Sequence, residues 1–362
     1  MYGLVLYKYS MLNFFSLFFY FDLMSDIFQK LCSADAWEEF YFHKSKKEPE
    51  SGRFLTDLRR FIDERAYLAH AERVRRGIPF PSPAKKLISK GHTAKKRVVF
   101  TFPFEETLIL KFLARELKRY DHLFSPNLYS FRSSRSVRDA WAHLARIKNK
   151  EQKYVYKVDI SDYFRSVEPS LILPLLKTVL AEEEALYHIL EQLLLDPYAG
   201  SDGEKRVEKK GVLPGVPVSA FLANLFLAQL DRHFFEKRVQ YLRYSDDIIL
   251  LADSKEELAR HVAKVKEAIR EKGLEINPKK EAWTEPGEPW EFLGFTYFEG
   301  EVDVSRAAYE KLRGKMRRKT RALKRWADKK ELEGTRAAKA FIRRFHEKMF
   351  ENPVAGDLTW AR

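Results

Sequence analysis

Asp159 ends an alternating run of apolar and polar residues at 154–160, and Asp246 and Asp247 stand side by side in Tyr244-Ser245-Asp246-Asp247. Adjacent carboxylates repel one another and make a poorer turn than glycine or asparagine, so a pair held there calls for a cation. If the Asp159 strand lies beside that turn, three carboxylates converge. Hard oxygen ligands of this kind suit Mg²⁺, which keeps waters and substrate phosphates in its shell. Two such ions can activate a 3′ hydroxyl and stabilise a departing pyrophosphate in an in-line displacement. Each acid alone reads as a solvated turn or a strand-end cap, and it is their order along the chain that makes the pattern specific.

The elements that must position these acids are legible in the spacing. In residues 154–160, Tyr154, Tyr156, Val158 and Ile160 share one face, which puts Asp159 on the other with Val155 and Lys157. Residues 239–244 and 248–252 read as two β runs, so the acids sit at a hairpin tip. Ser254 caps the next helix with Glu257 completing a capping box, Leu258, Val262, Val265 and Ile269 form its buried stripe, and Gly273 ends it. Residues 34–76 are helical in spacing, broken by the Gly/Pro cluster at 77–83. A strand follows at 97–102 and a helix at 104–121. Residues 170–195 read as one helix with Pro174 near its first turn, and 219–235 as another, approached by a Gly/Pro-rich stretch at 211–217. The polar loop at 200–205 reads as exposed. The order suits an α+β fold with helices on one face of an antiparallel sheet.

The 362 residues carry 66 Lys and Arg against 52 Asp and Glu, a net charge of +14, which favours a polyanionic partner. Apolar residues at 45% exclude intrinsic disorder, and 15 Gly with 15 Pro exclude collagen-like chains. The single cysteine, Cys32, excludes an internal disulfide and a thiolate zinc cluster and fits a reducing cytoplasm. Residues 1–23 form an aromatic stretch flanked by Lys8 but interrupted by Asn13, Ser16 and Asp22. They read as a misassigned extension ahead of a start at Met24, or as a mobile arm, rather than as a membrane anchor. Trp360, close to the last residue, suggests a truncated terminus.

Tyr244-Ser245-Asp246-Asp247 resembles the Tyr-x-Asp-Asp motif of reverse transcriptases, and the segment from Asp159 to Phe164 resembles their first catalytic motif. Residues 211–224, with Gly215, Ser219 and Asn224, resemble the second palm motif; residues 274–280 the next; Phe292-Leu293-Gly294-Phe295 the segment that grips the primer. Residues 129–136 resemble a finger motif of bacterial, group II intron-like members. Together these span about residues 96–300. Pro214 stands where the family carries glutamine, and Ser245 where group II intron enzymes carry alanine, departures that resemble defence-associated and unclassified bacterial reverse transcriptases.

The resemblance implies a right-hand polymerase with fingers at 33–153, a palm at 154–300 carrying a fingers-associated insertion near 170–210, and a helical thumb at 301–362, preceded by an extension at 1–32. It implies Asp159, Asp246 and Asp247 as catalytic metal ligands, with Ile160 adding its carbonyl, two Mg²⁺ ions with Mn²⁺ as the open alternative, and Lys280 as proton donor to the leaving pyrophosphate. Lys96, Arg97 and Arg132 would clamp the triphosphate, since guanidinium forks match phosphate oxygens. Phe164 would exclude a 2′ hydroxyl, with Gly215 and Ser219 lining the nucleotide. Phe292, Leu293 and Gly294 would hold the primer.

Residues 305–330 carry twelve Lys or Arg against Glu310 and Asp328, with Leu312, Met316, Leu323 and Trp326 as an apolar stripe. One face of such a helix packs while the other, including Arg317, Arg318 and Arg321, meets phosphates. The expected activity is RNA-directed DNA synthesis in the cytoplasm on a dedicated non-coding RNA in antiviral defence. Its partners are an RNA template, a DNA or RNA primer and dNTPs, with no membrane partner. The rivals are template-independent or protein-primed synthesis by the same acids, and a non-catalytic, maturase-like RNA scaffold.

Overall fold

A computed structural model describes residues 26–47, 52–89, 96–196, 198–199, 204–207, 209–331, 334–336, 338–339 and 342. The expected N-terminal extension through residue 25, the loop at 200–203 and the chain end lie outside them. The chain forms two compact units that interleave along the sequence: one from residues 1–88, 98–121 and 164–226, the other from 89–97, 122–163 and 227–362.

In the first unit, α1 (Asp26–Cys32), α2 (Ala34–Lys47), α3 (Gly52–Asp63), α4 (Tyr67–Arg75) and α5 (Phe104–Glu116) gather around Trp37. Trp37 is fully buried, stacks on Phe112 at 4.4 Å and donates its indole N–H to the Leu31 carbonyl. A small sheet runs in the order β2 (Lys96–Thr101), β1 (Ala84–Ser89), β4 (Tyr198–Ala199), β5 (Lys205–Arg206).

The helix expected over 170–195 is two: α8 (Pro169–Val179) and α9 (Glu184–Leu195), following the short α7 (Tyr163–Ser166). Pro174 is tolerated inside α8. The break serves Glu183, whose buried carboxylate accepts from the Ile27 N–H that opens α1 and from Arg119. Likewise the helix expected over 219–235 divides into α10 (Ser219–Phe226) and α11 (Ala228–Glu236), the latter in the second unit.

The second unit is built on an antiparallel sheet in the order β6 (Gln240–Tyr244), β7 (Asp247–Ala252), β3 (Tyr154–Asp159), β8 (Ala282–Thr284). Helices α11 and α12 (Lys255–Glu271) pack on it, and Leu258, Val262, Val265 and Ile269 are buried as the spacing predicts. Val155, Leu242, Ile249 and Leu251 enter one hydrophobic cluster with Ala140 and Leu144 of α6 (Val137–Arg146) and with Trp290, Phe292 and Tyr297. The last three come from a second antiparallel sheet, β9 (Trp290–Phe292), β10 (Phe295–Phe298) and β11 (Glu301–Val304). Trp141 stacks on Trp290 at 5.5 Å, adding about 1 kcal/mol beyond burial.

Ser254 caps α12 by accepting from Glu257 N–H, but the Glu257 carboxylate takes the N–H of Asp253, so the expected box closes one residue further back. Helix α13 (Arg306–Lys329) exposes all eleven of its basic residues, and Lys330 just beyond it is exposed as well. Its expected stripe is only partly realised: Leu312, Met316 and Leu323 are half-buried, while Trp326 is exposed. No described helix is long and apolar enough to cross a membrane.

Candidate active site

The register of β3 on β7 places Asp159 directly opposite Asp247. Partners in register share a face, so two like charges meet across the ladder, an arrangement that is destabilising by itself. Tyr244 pairs with Asp247, leaving Ser245 and Asp246 as a two-residue hairpin turn. Ser245 adopts φ 61°, the left-handed region that favours glycine in such turns. The Asp246 carbonyl accepts from Ile160 N–H at 3.0 Å, tying the turn to the end of β3.

Segment 275–280 closes the third side. Ser161 N–H donates to the Glu275 carbonyl, and Asn277 N–H to the Asp159 carbonyl at 2.8 Å. The Asn277 amide nitrogen reaches Asp159 Oδ1 at 3.1 Å, and Lys280 Nζ reaches Oδ2 at 2.5 Å. Asp159 is 4% exposed, and each of its carboxylate oxygens carries one of these contacts.

Asp246 is hydrogen-bonded by Ser245 and by its own backbone, yet the proton affinity of both remaining acids rises. Burial first, then the charges of Asp246 and Asp159, push Asp247 up to about 7, against the lowering pull of Lys280 and Lys157. Burial, then Asp159, also raises Asp246. Burial alone would lower the Lys280 ammonium, but Asp159, Asp247 and Asp246 together leave it raised. Among the described residues no three His, Cys, Asp or Glu side chains close into a preformed metal cage. The donor chemistry nonetheless suits a divalent cation: carboxylate oxygens crowded by mutual repulsion and held off water gain most from a positive ion between them.

Beneath this constellation lies a buried polar network that the motif reading missed. Arg243, Asp231 and Tyr241 are 0% exposed. Arg243 forks onto Asp231, Nε to Oδ1 at 2.8 Å and Nη2 to Oδ2 at 2.5 Å, and its Nη1 donates to the Ser245 carbonyl. Tyr241 hydroxyl donates to Asp231 Oδ1, Asn127 side chain to the Asp231 carbonyl, and Ser245 N–H to Ser130 Oγ at 2.8 Å. An arginine at an inward strand position, with one acid in the preceding apolar helix, was the available signal.

The remaining expected residues divide. Lys96 and Arg97 are exposed at the start of β2. Arg132 is half-buried and spends Nη1 on the Ser125 and Leu128 carbonyls, 2.8 and 3.3 Å away. Phe164, Gly215 and Ser219 belong to the first unit. Gly215, at φ 97°, would put a Cβ 3.1 Å from the Phe100 carbonyl oxygen, so only glycine fits there. The Ser219 side chain is buried and donates to the Leu213 carbonyl. The Phe292 ring is likewise 1% exposed and committed to the core cluster. It supports the Leu293-Gly294 turn, both residues at positive φ, whose Gly294 carbonyl accepts from Ser305 N–H ahead of α13.

Residues 88–297 match the reverse transcriptase (RNA-dependent DNA polymerase) family, and the chain belongs to that family. The retron Ec86 reverse transcriptase of Escherichia coli is 30% identical over 112 residues, which are 30% of this chain and 35% of that one. Apo telomerase from Candida tropicalis is 12% identical, with a TM-score of 0.52 over 66% of this chain and 53% of that one. Telomerase from Candida albicans, solved in complex with the TWJ fragment of telomeric RNA, is 11% identical, with a TM-score of 0.49 over 63% of this chain and 46% of that one. The chain therefore spans about a third to a half of these relatives' lengths. Its fold is of the mixed helix and antiparallel-sheet class of right-hand polymerases. Members of the family generally use divalent metals.

Proposed function

We propose that the chain is an RNA-directed DNA polymerase that adds dNTPs to a 3′ end with Mg²⁺, on a dedicated RNA. The observation that carries this reading is the pairing of Asp159 with Asp247 beside Asp246, in a chain of the reverse transcriptase family. The retron enzyme among its relatives supports the dedicated template, and with it a role in bacterial antiviral defence.

In this reading Asp159, Asp246, Asp247 and the Ile160 carbonyl hold the divalent ions, which supply activation of the 3′ hydroxyl and neutralisation of charge on the pyrophosphate. Lys280 Nζ keeps its proton through its contact with Asp159 and delivers it to a leaving oxygen. Lys96, Arg97 and Arg132 bind the triphosphate, and Phe164 selects a deoxyribose. Backbone groups of the Leu293-Gly294 turn hold the primer, and Arg317, Arg318 and Arg321 take phosphates of the hybrid. The fingers, palm and thumb divisions read from the sequence belong to the same proposal.

The test is primer extension on homopolymer RNA templates. Products complementary to each template support the reading. One fixed product regardless of template favours template-independent synthesis, and no metal-dependent extension at all favours an RNA-binding scaffold.

A further inference from the structure

At the end of the main sheet remote from the acids, the second unit carries a cleft of about 840 Å³. Arg135, Arg146, Lys148, Lys153 and Arg238 line it, and Phe235, 48% exposed, stands among them. Its place follows from register. Gln240, which lines the cleft, opens β6 opposite Leu251, whereas Tyr244 at the other end pairs with Asp247; Lys153 precedes β3, which ends at Asp159. Four residue steps along the strand separate Gln240 from Tyr244 by roughly 13 Å. A smaller cleft of about 430 Å³ adjoins it, sharing Lys153 and Arg238.

These cations are not an evenly mixed surface. Asp139, which also lines the cleft, is occupied by its own helix, accepting from the Ser136 N–H and hydroxyl. Lys153 pairs with Asp253 at 2.6 Å, and Arg135 lies over the Tyr129 ring. Arg146, Lys148 and Arg238 have no ion pair among the described residues. The accumulated charge acts on His143: burial first, then Arg135 and Arg146, lower its pKa against a raising hydrogen bond with Gln240. Asn127 lines the same cleft, and its Oδ1 has no hydrogen-bond partner.

Arg238 supplies a separate sign. It follows the end of α11 at φ 56°, with its own N–H on the Phe235 carbonyl and Val239 N–H on that of Phe234. This left-handed position after a helix is one that glycine ordinarily fills. An arginine kept there against the backbone preference points to a use for its charge.

We propose that this cleft is a second RNA-binding site, distinct from the carboxylate site, in which the cations take backbone phosphates of single-stranded RNA and Phe235 stacks on a base. It deepens the reading of the chain as an enzyme with a dedicated RNA, and it rests on that reading only for the identity of the polyanion.

The test uses the full chain, saturated with unlabelled primer–template and given no dNTPs, to which a short labelled single-stranded RNA is added. The parent takes up this second RNA. The variant Arg146→Gln/Lys148→Gln/Arg238→Gly binds it about tenfold or more weakly, with a slope of log K against log salt shallower by about 2, the value for three lost phosphate contacts on a single strand. Primer extension is unchanged. Arg238→Gly alone weakens uptake while raising the melting temperature, which separates lost charge from lost fold. Uptake by the variant with the parent's affinity and slope, no second uptake by the parent, or equal uptake of the same sequence as DNA overturns the proposal. RNA uptake without any primer extension by the parent would instead remove the polymerase reading and leave this site standing.

Discussion

Arg243 donates through Nη1 to the carbonyl of Ser245, 3.2 Å away, while its other two nitrogens are held by Asp231. A guanidinium fixed by a buried carboxylate thus holds a turn residue in a left-handed conformation, immediately before Asp246. Ser130 Oγ takes the N–H of the same residue. The turn that presents two repelling acids is therefore fastened at both the N–H and the C=O of one residue.

Arg243→Met is expected to destabilise the chain by about 3–5 kcal/mol, because Asp231 then keeps a buried, uncompensated charge. The double variant Arg243→Met/Asp231→Leu should recover most of that loss in urea unfolding. It should still extend primers at least about tenfold more slowly than the parent, since nothing then fixes the Ser245 carbonyl. Parent-like extension by a folded double variant would assign the pair to stability alone.

Ser130→Ala should leave the buried Ser245 N–H without this acceptor and lower stability by about 1–3 kcal/mol. Hydrogen exchange localises the effect: protection at the Ser245 amide falls more than protection at Leu250, deep in the same hairpin. Equal losses at both amides would mean that the hydroxyl holds no particular part of the turn.

The acids predict a pH dependence with a definite sign. Folded Asp247 keeps its proton up to about 7, whereas the unfolded chain releases it near the ordinary carboxylate value of about 4. Between those values the folded state binds more protons than the unfolded one, so without metal this group's stability contribution falls as pH rises and is flat above about 7. The difference in melting temperature between Asp247→Asn and the parent should therefore grow in favour of the variant from pH 5 to pH 7.5. Magnesium, which needs the carboxylates ionised, should stabilise the parent more at the upper end. A difference that does not vary with pH would contradict the shared acidic site.

The exposed charge of α13 makes hybrid binding salt-dependent. If six of its eleven cations meet phosphates, affinity for a primer–template should fall on the order of a thousandfold between 50 and 200 mM salt. Neutralising Arg317, Arg318 and Arg321 together should flatten the slope by about two to three. Binding that ignores salt would remove α13 from the interface.

Periodicity carried much of this site. The alternation in residues 154–160 fixes the face of Asp159, Ser254 and Gly273 bound α12, and the turn chemistry of 244–247 fixes the hairpin. Asp231 and Arg243 were not legible in the same way, because their pairing joins a helix to a strand and follows no period. Ser219 and Phe292 were read from motif position, yet their side chains are buried and support backbone turns, a distinction that only burial reveals. The break before α9 depends on Glu183 reaching the start of α1, a long-range demand that overrides an unbroken helical stripe.

The central claim is that Asp159, Asp246 and Asp247 act together on one nucleotide transfer. Its most direct measurement is single-turnover extension of a pre-bound RNA–DNA hybrid by the parent and by Asp246→Asn, with hybrid affinity measured in parallel. The expected result is metal-dependent extension by the parent and a loss of about a thousandfold or more in the variant, with affinity unchanged. Equal extension by both proteins, or a hybrid-bound parent that adds no nucleotide with any divalent metal, would contradict it.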